Sequence, residues 1–174
     1  MGFGAATSAG ATQHTCAGAD CAVAAAAPIP VPVAEITSTG VGAVRLGKTY
    51  TSLRAAKVVG RLRPGCPLGG PRTRMASLLA PLKGSVTLSL GQTRRVTGIV
   101  ITRGASAPGV GIGATTAAIR QAFPAATVDH RSDKMFGLTF VRVPRLGGGR
   151  FEFGVSTSTK KAMLIGIPRI PICD

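Results

Sequence analysis

The stretch Gly42-Ala43-Val44-Arg45-Leu46-Gly47-Lys48-Thr49 matches, letter for letter, the G-x-x-x-x-G-K-[ST] pattern of a phosphate-cradling loop. Its four variable positions, however, carry the alternation of a strand, with Val44 and Leu46 on one side and Ala43 and Arg45 on the other. A working phosphate loop follows a buried strand and leads into a βαβ sheet, with an acidic strand end placed to hold magnesium. Here Thr37-Ser38-Thr39-Gly40 precedes the motif, and Asp129 follows only the weak run Ala126-Thr127-Val128. Nucleotide binding is therefore the least supported reading of these residues.

A second passage decides the matter. Val110-Gly111-Ile112-Gly113-Ala114-Thr115, continuing through Ile119, Arg120 and Phe123, aligns without a gap on Val44 to Lys57. Val44/Val110, Leu46/Ile112, Gly47/Gly113, Thr49/Thr115, Leu53/Ile119, Arg54/Arg120 and Ala56/Ala122 coincide at a constant offset of 66 residues. The chain is internally duplicated. The second copy replaces Lys48 by Ala114 and keeps the glycine and the threonine, the residues a turn and a helix cap require. Each unit predicts a short strand, a glycine turn, an N-capping Thr and a helix of two to three turns. Leu53 and Ala56 form the buried stripe of the first helix. Ile119, Ala122 and Phe123 form that of the second, which ends at Pro124.

Strands are expected after each helix. In the first copy they span 59–63, 74–79, 84–90 and 95–102; in the second, 126–130, 136–143, 150–155 and 162–167. Val86, Leu88 and Leu90 alternate with Thr87 and Ser89, and Phe151, Phe153 and Val155 alternate with Glu152, Gly154 and Ser156. Gly147-Gly148-Gly149 and residues 156–161 read as hairpin turns. The expected class is α+β, a tandem repeat whose units each place a short strand and short helix on an antiparallel meander. Residues 1–34 read as an Ala/Pro-rich tail, 35–103 as the first repeat and 104–174 as the second, both in one compact domain. The Ala-rich run 21–27 followed by Pro28-Ile29-Pro30-Val31-Pro32 is laid out like the far side of an export signal, although no basic segment precedes it. The alternative is a flexible intracellular tail.

The glycine–threonine units and their echo resemble small secreted proteins of actinobacteria and their relatives. Those proteins are similar to the β-lactamase-inhibitor-protein-like tandem-repeat fold and, more distantly, to the small outer-membrane-assembly lipoproteins. The resemblance covers residues 36–173 and implies that fold. The inhibitory activity known in that group rests on loop residues with no match here, and it is not carried over. The strong basic charge and the absence of Trp also depart from the inhibitor.

Charge narrows the function. The formal net charge is +15, with 21 basic against 6 acidic residues, and no Lys or Arg precedes Arg45. Such a body attracts polyanions. Arg61/Arg63 and Arg72/Arg74 alternate in extended segments, which predicts two cations on one face in each case, and Arg94-Arg95 mark a hairpin. These six are the candidate anion or partner surface. With Tyr50 as the single Tyr and a core-patterned set of six Phe, stacking platforms are few, and sequence-specific nucleic-acid reading is disfavoured.

The four cysteines, Cys16, Cys21, Cys66 and Cys173, lack metal-ligand spacing and point to disulfides in an oxidising compartment. Three pairings are open, and Cys16–Cys21 with Cys66–Cys173 is favoured. Closing the long loop from Cys66 would contribute about 4.7 kcal/mol in the chain-entropy account. No apolar run reaches the ~18 residues of a membrane span. Asp129, His130 and Asp133 form the one local cluster of acid–base groups, and a solvated strand end explains them better than catalysis does. The expectation is a non-catalytic secreted or envelope binding module with no cofactor, no metal and no catalytic residues. Its partner would be an unknown protein or an anionic envelope polymer. A basic polyanion or nucleic-acid binder is the alternative.

Overall fold

The computed structural model describes residues 33–66, 72–144 and 149–172. They belong to a compact unit that begins at Val31. The tail expected over residues 1–34 lies almost wholly outside the described residues, as do Cys16, Cys21, Cys173 and Gly147-Gly148.

Thirteen strands and three helices are found among the described residues. The larger sheet has eight strands in two meanders. The first runs β4 (Val59–Pro64), β5 (Arg74–Leu78), β6 (Lys83–Leu88), β7 (Val96–Arg103). The second runs β10 (Thr127–Asp129), β11 (Leu138–Pro144), β12 (Arg150–Ser156), β13 (Ala162–Ile167). Their order in space is β10-β11-β12-β13-β7-β6-β5-β4, antiparallel throughout. A smaller sheet, ordered β3-β2-β1-β8-β9, is built from β1 (Ala34–Thr37), β2 (Gly40–Val41), β3 (Val44–Arg45), β8 (Ala105–Ala107) and β9 (Val110–Gly111).

The α+β expectation is overturned, because this is a largely β fold. The helices α1 (Tyr50–Ala55), α2 (Thr116–Ala122) and α3 (Asp133–Phe136) have six, seven and four residues. Helices this short depend on tertiary packing, and α1 and α2 each bury a single residue, Leu53 and Ile119. Ala56, Ala122 and most of the remaining helical surface stay exposed. Lys57, at φ 55°, ends the first helical turn, and β-branched Val58-Val59 then enters the sheet. Burial energy therefore resides in strands. Val86, Ile99, Ile101, Phe151, Phe153, Ile165 and Ile167 are each fully buried and join Ile36, Val41 and Val44 of the small sheet in one core.

The duplication is visible atom by atom around the opening motif. Gly47 N donates to Val96 O and Val96 N to Lys48 O; in the second copy Gly113 N donates to Ala162 O and Ala162 N to Ala114 O, all between 2.8 and 2.9 Å. Thr49 and Thr115 both cap, accepting from Ser52 N and Ala118 N at 3.2 Å. Gly47 and Gly113 have φ of 80° and 91°, with open space where a Cβ would stand. Glycine is needed there for its backbone conformation rather than for room.

The two meanders meet where β7 pairs with β13. Val100 stands opposite Gly166, Ile99 opposite Ile167 and Ile101 opposite Ile165. By the 66-residue offset Gly166 is the copy of Val100, and the flanking isoleucines exchange partners. This is the reciprocal pairing of an isologous dimer interface, realised inside one chain.

The other face of the large sheet differs between halves. In the first half it carries Met75, Ser77, Ser85 and Thr87, all half-buried. In the second half the chain after β13 turns back across it as a strap, residues 168–172. Gly166 and Gly154 admit the strap: a Cβ on Gly166 would lie 2.5 Å from Arg169 C and Ile170 N, and one on Gly154 would lie 3.2 Å from Ile170 Cδ1. The buried Glu152 carboxylate accepts from Ile170 N at 2.9 Å. This explains why β12 is buried on both faces, where alternation alone predicted one solvated face.

Candidate functional site

In the opening motif, the backbone N–H groups that would cradle a phosphate are already committed. Leu46 N donates to Thr39 O, Gly47 N to Val96 O, Lys48 N to Arg45 O and Tyr50 N to Arg94 O, while the Thr49 hydroxyl caps α1. Lys48 is exposed. The motif's strand β3 pairs antiparallel with β2 at the edge of the small sheet, and no βαβ crevice is formed there. The motif is a fold element.

Of the six arginines singled out, three converge. Arg72 and Arg74 at the start of β5, with Arg94 and Ser89-Leu90-Gly91 of the β6–β7 hairpin, line a cleft of about 230 Å3. None of the described residues lining it is acidic. Arg74 Nη1 donates to Thr73 O at 2.9 Å. The Arg72 and Arg94 side chains have no hydrogen bond or ion pair among the described residues. Leu90, expected as the inward end of a strand, is 60% exposed at the rim of the cleft, because β6 stops at Leu88 and the hairpin begins.

The other three go elsewhere. Arg95 Nη1 donates to Gly47 O at 2.9 Å and ties the hairpin to the glycine turn. Arg61 and Arg63 are exposed on the edge strand β4. The register of β4 shifts between Val59 and Leu62, so simple alternation does not govern this segment. Arg63 pairs across from Met75, on the face opposite Leu88, which is the partner of Arg74.

The Asp129–His130–Asp133 cluster is built as a turn. His130 Nδ1 lies 2.8 Å from Asp133 Oδ2, and Thr139 Oγ1 donates to Asp133 Oδ1 at 2.8 Å. The His130 contact, followed by the Thr139 hydroxyl, holds the Asp133 carboxyl below the usual carboxylate range. Asp129 accepts from the Arg131 side chain and from its backbone N–H, and these bonds hold its carboxyl far below that range. The His130 side chain is 71% exposed. Among the described residues, no hydroxyl or thiol is hydrogen-bonded to its second ring nitrogen, which a nucleophilic relay would require.

Sequence reasoning missed a second, larger cavity. A cavity of about 700 Å3 lies beside the strap, with Arg131, Arg142, Arg150 and Arg169 around it, Phe140 and Ile170 in its walls, and Cys66, Thr73 and Thr87 of the first half completing its lining. Arg142 bridges two carboxylates, Nη2 to Asp129 Oδ2 at 2.7 Å and Nε to Glu152 Oε1 at 2.9 Å. Alternation placed Arg142 and Glu152 on one face, a signal that was available. The strap that encloses them is formed by five residues after the last strand and has no periodic signature.

Cys66 is disulfide-bonded, and its Sγ stands 3.5 Å from the Ile172 carbonyl oxygen. The expected partner, Cys173, lies outside the described residues. Among the described residues no group of three or more His, Cys, Asp or Glu side chains could hold a metal ion, and no helix is long and apolar enough to cross a membrane. Comparison with family models, with curated proteins and with solved structures finds no match for this chain.

Proposed function

We propose that this chain is a non-catalytic binding module of the cell envelope or exterior that engages anionic groups of a polymer or partner protein. The observation that carries this reading is the convergence of Arg72, Arg74 and Arg94 on one cleft, with no acidic side chain among the described residues that line it. Guanidinium groups present planar forks suited to phosphate and carboxylate, and a net charge of +15 steers polyanions toward them. The bonded state of Cys66 supports an oxidising compartment. Cys66–Cys173 is the pairing proposed, since the chain enters Cys173 directly from Ile172. None of the described residues lining the cleft is aromatic, which favours contact with charged backbones over stacking on bases.

The test is binding to heparin and to a linear polyphosphate over a salt series. Affinity should fall steeply with salt. The double variant Arg72→Ala/Arg94→Ala should weaken it by about tenfold or more, while Arg61→Ala changes it less than threefold. Salt-independent binding, or equal losses from both variants, would reject the cleft. Equal affinity for double-stranded DNA would favour the nucleic-acid alternative.

A further inference from the structure

We infer that the cavity beneath the C-terminal strap is a second, separate binding site, for a small organic oxyanion: one carboxylate or phosphate group carried on an apolar body. The site is built rather than incidental. Its roof is fixed, because Ile170 N donates to Glu152 Oε2 at 2.9 Å, Ile170 is 8% exposed, and the strap backbone rests directly on Gly166. Its volume of about 700 Å3 falls within the range typical of small-molecule pockets.

The charge of the lining sets the sign of the ligand. Among the described residues lining it, four arginines (Arg131, Arg142, Arg150, Arg169) face two carboxylates (Asp129, Glu152), an excess of two positive charges. Both carboxylates are consumed within the wall. Asp129 accepts from Arg131 and Arg142, and Glu152 accepts from Arg142 and from the Ile170 amide. A cationic ligand would find no free acid there. Arg150 and Arg169, by contrast, have no ion pair among the described residues.

These two arginines flank the anchor. Arg150 lies two residues before Glu152 on β12 and so projects to the same face, about 7 Å along the strand. Arg169 belongs to the strap, whose backbone sits on Gly166, and Gly166 pairs with Glu152. One fork therefore comes from the sheet and one from the roof. Arg142, bonded by two carboxylates, is held rigidly beside them. The buried Phe140, together with Ile170 and the strap prolines, supplies apolar wall for the body of the ligand.

The experiment titrates the intact, oxidised protein with phenyl phosphate, 3-phenylpropanoate and inorganic phosphate, followed by amide shifts and calorimetry. At least one of the two aromatic anions should bind saturably with a Kd of about millimolar or tighter, as expected for ligands of that size. It should shift the Ile170 and Glu152 amides. Whichever aromatic anion binds more tightly identifies the source of the oxyanion. Inorganic phosphate should bind at least tenfold more weakly. Arg150→Ala/Arg169→Ala, both exposed positions, should weaken binding by about tenfold or more with unchanged circular dichroism. Arg72→Ala/Arg94→Ala should leave it within twofold, which separates this site from the polyanion cleft. Failure of both aromatic anions to saturate by roughly 20 mM, well beyond the expected Kd, would overturn the inference. So would inorganic phosphate binding equally well, or loss of binding through the Arg72/Arg94 pair.

Discussion

Removing the Glu152 carboxylate should release the strap. Glu152 is 5% exposed and does two things with its two oxygens: Oε1 accepts from Arg142 Nε and Oε2 from Ile170 N, each at 2.9 Å. In Glu152→Ala the Ile170 N–H stays buried with no acceptor, a loss of about 1–3 kcal/mol. The Arg142 contact adds little, up to about 1 kcal/mol, because that side chain is 41% exposed and keeps Asp129 as a partner. The total is about 1–4 kcal/mol, or roughly 2–16 °C in Tm for a domain of this size. Glu152→Gln keeps an acceptor for the amide and should lose about 1 kcal/mol. Thermal unfolding gives the stability, and hydrogen exchange at the Ile170 amide reads the strap directly, with protection falling in Ala and persisting in Gln. A Tm within about 1 °C of the parent for Glu152→Ala would refute the anchor, the loss being far below what an orphaned buried donor costs. Equal losses in the two variants would also refute it, because charge rather than the amide acceptor would then be the working term.

Gly166→Ala should destabilise by about 1–3 kcal/mol, since its Cβ meets strap backbone that cannot step aside. Gly98→Ala, whose nearest neighbours stand 3.7–3.9 Å away, should be neutral or stabilising by up to about 1 kcal/mol in the same melts. Lys48→Ala should change neither Tm nor polyanion binding measurably, and ATP should show no saturable binding in the parent. Acid should unwind the turn after β10. The Asp129 and Asp133 carboxyls are lower in the fold than in an unfolded chain, so their contacts stabilise above about pH 4 and are lost as the pH falls through the folded values. Asp129→Asn should flatten that acid limb, measured as Tm against pH from 2 to 6.

The strand framework was legible because Val, Ile and Phe at period two leave little choice of face, and the two copies checked one another. The eight meander strands lie within a few residues of their sequence spans. Class was misjudged because an N-cap and an apolar stripe mark where a helix starts without saying how far it runs. Leu53 and Ile119 each anchor barely two turns. Leu46 and Ile112 were expected inward with Val44 and Val110, yet Ile112 is 37% exposed, since the glycine turn ends those strands after two residues. Of the six candidate arginines, three meet through a hairpin contact between residues about 20 apart. Composition can count such side chains, but only the sheet register brings Arg94 to Arg72 and Arg74.

The duplication also separates what both halves need in order to fold from what differs between them. Elements that both copies need are conserved between them down to the hydrogen bond: the glycine turn, the capping Thr, and the reciprocal join at Val100 and Gly166. Divergence concentrates on the face that faces away from the core. The first half keeps small polar groups there, Ser77, Ser85 and Thr87. The second half carries Arg142, Glu152 and Arg150, and the strap docks on Glu152. A residue retained for folding has to serve twice, once in each copy, whereas Glu152 and Arg150 serve in the second copy alone. At the join itself, valine in one copy and glycine in the other differ for a stated reason. Any Cβ at Gly166 would strike Arg169 and Ile170. The asymmetry of that central pair follows from the strap backbone that rests on Gly166.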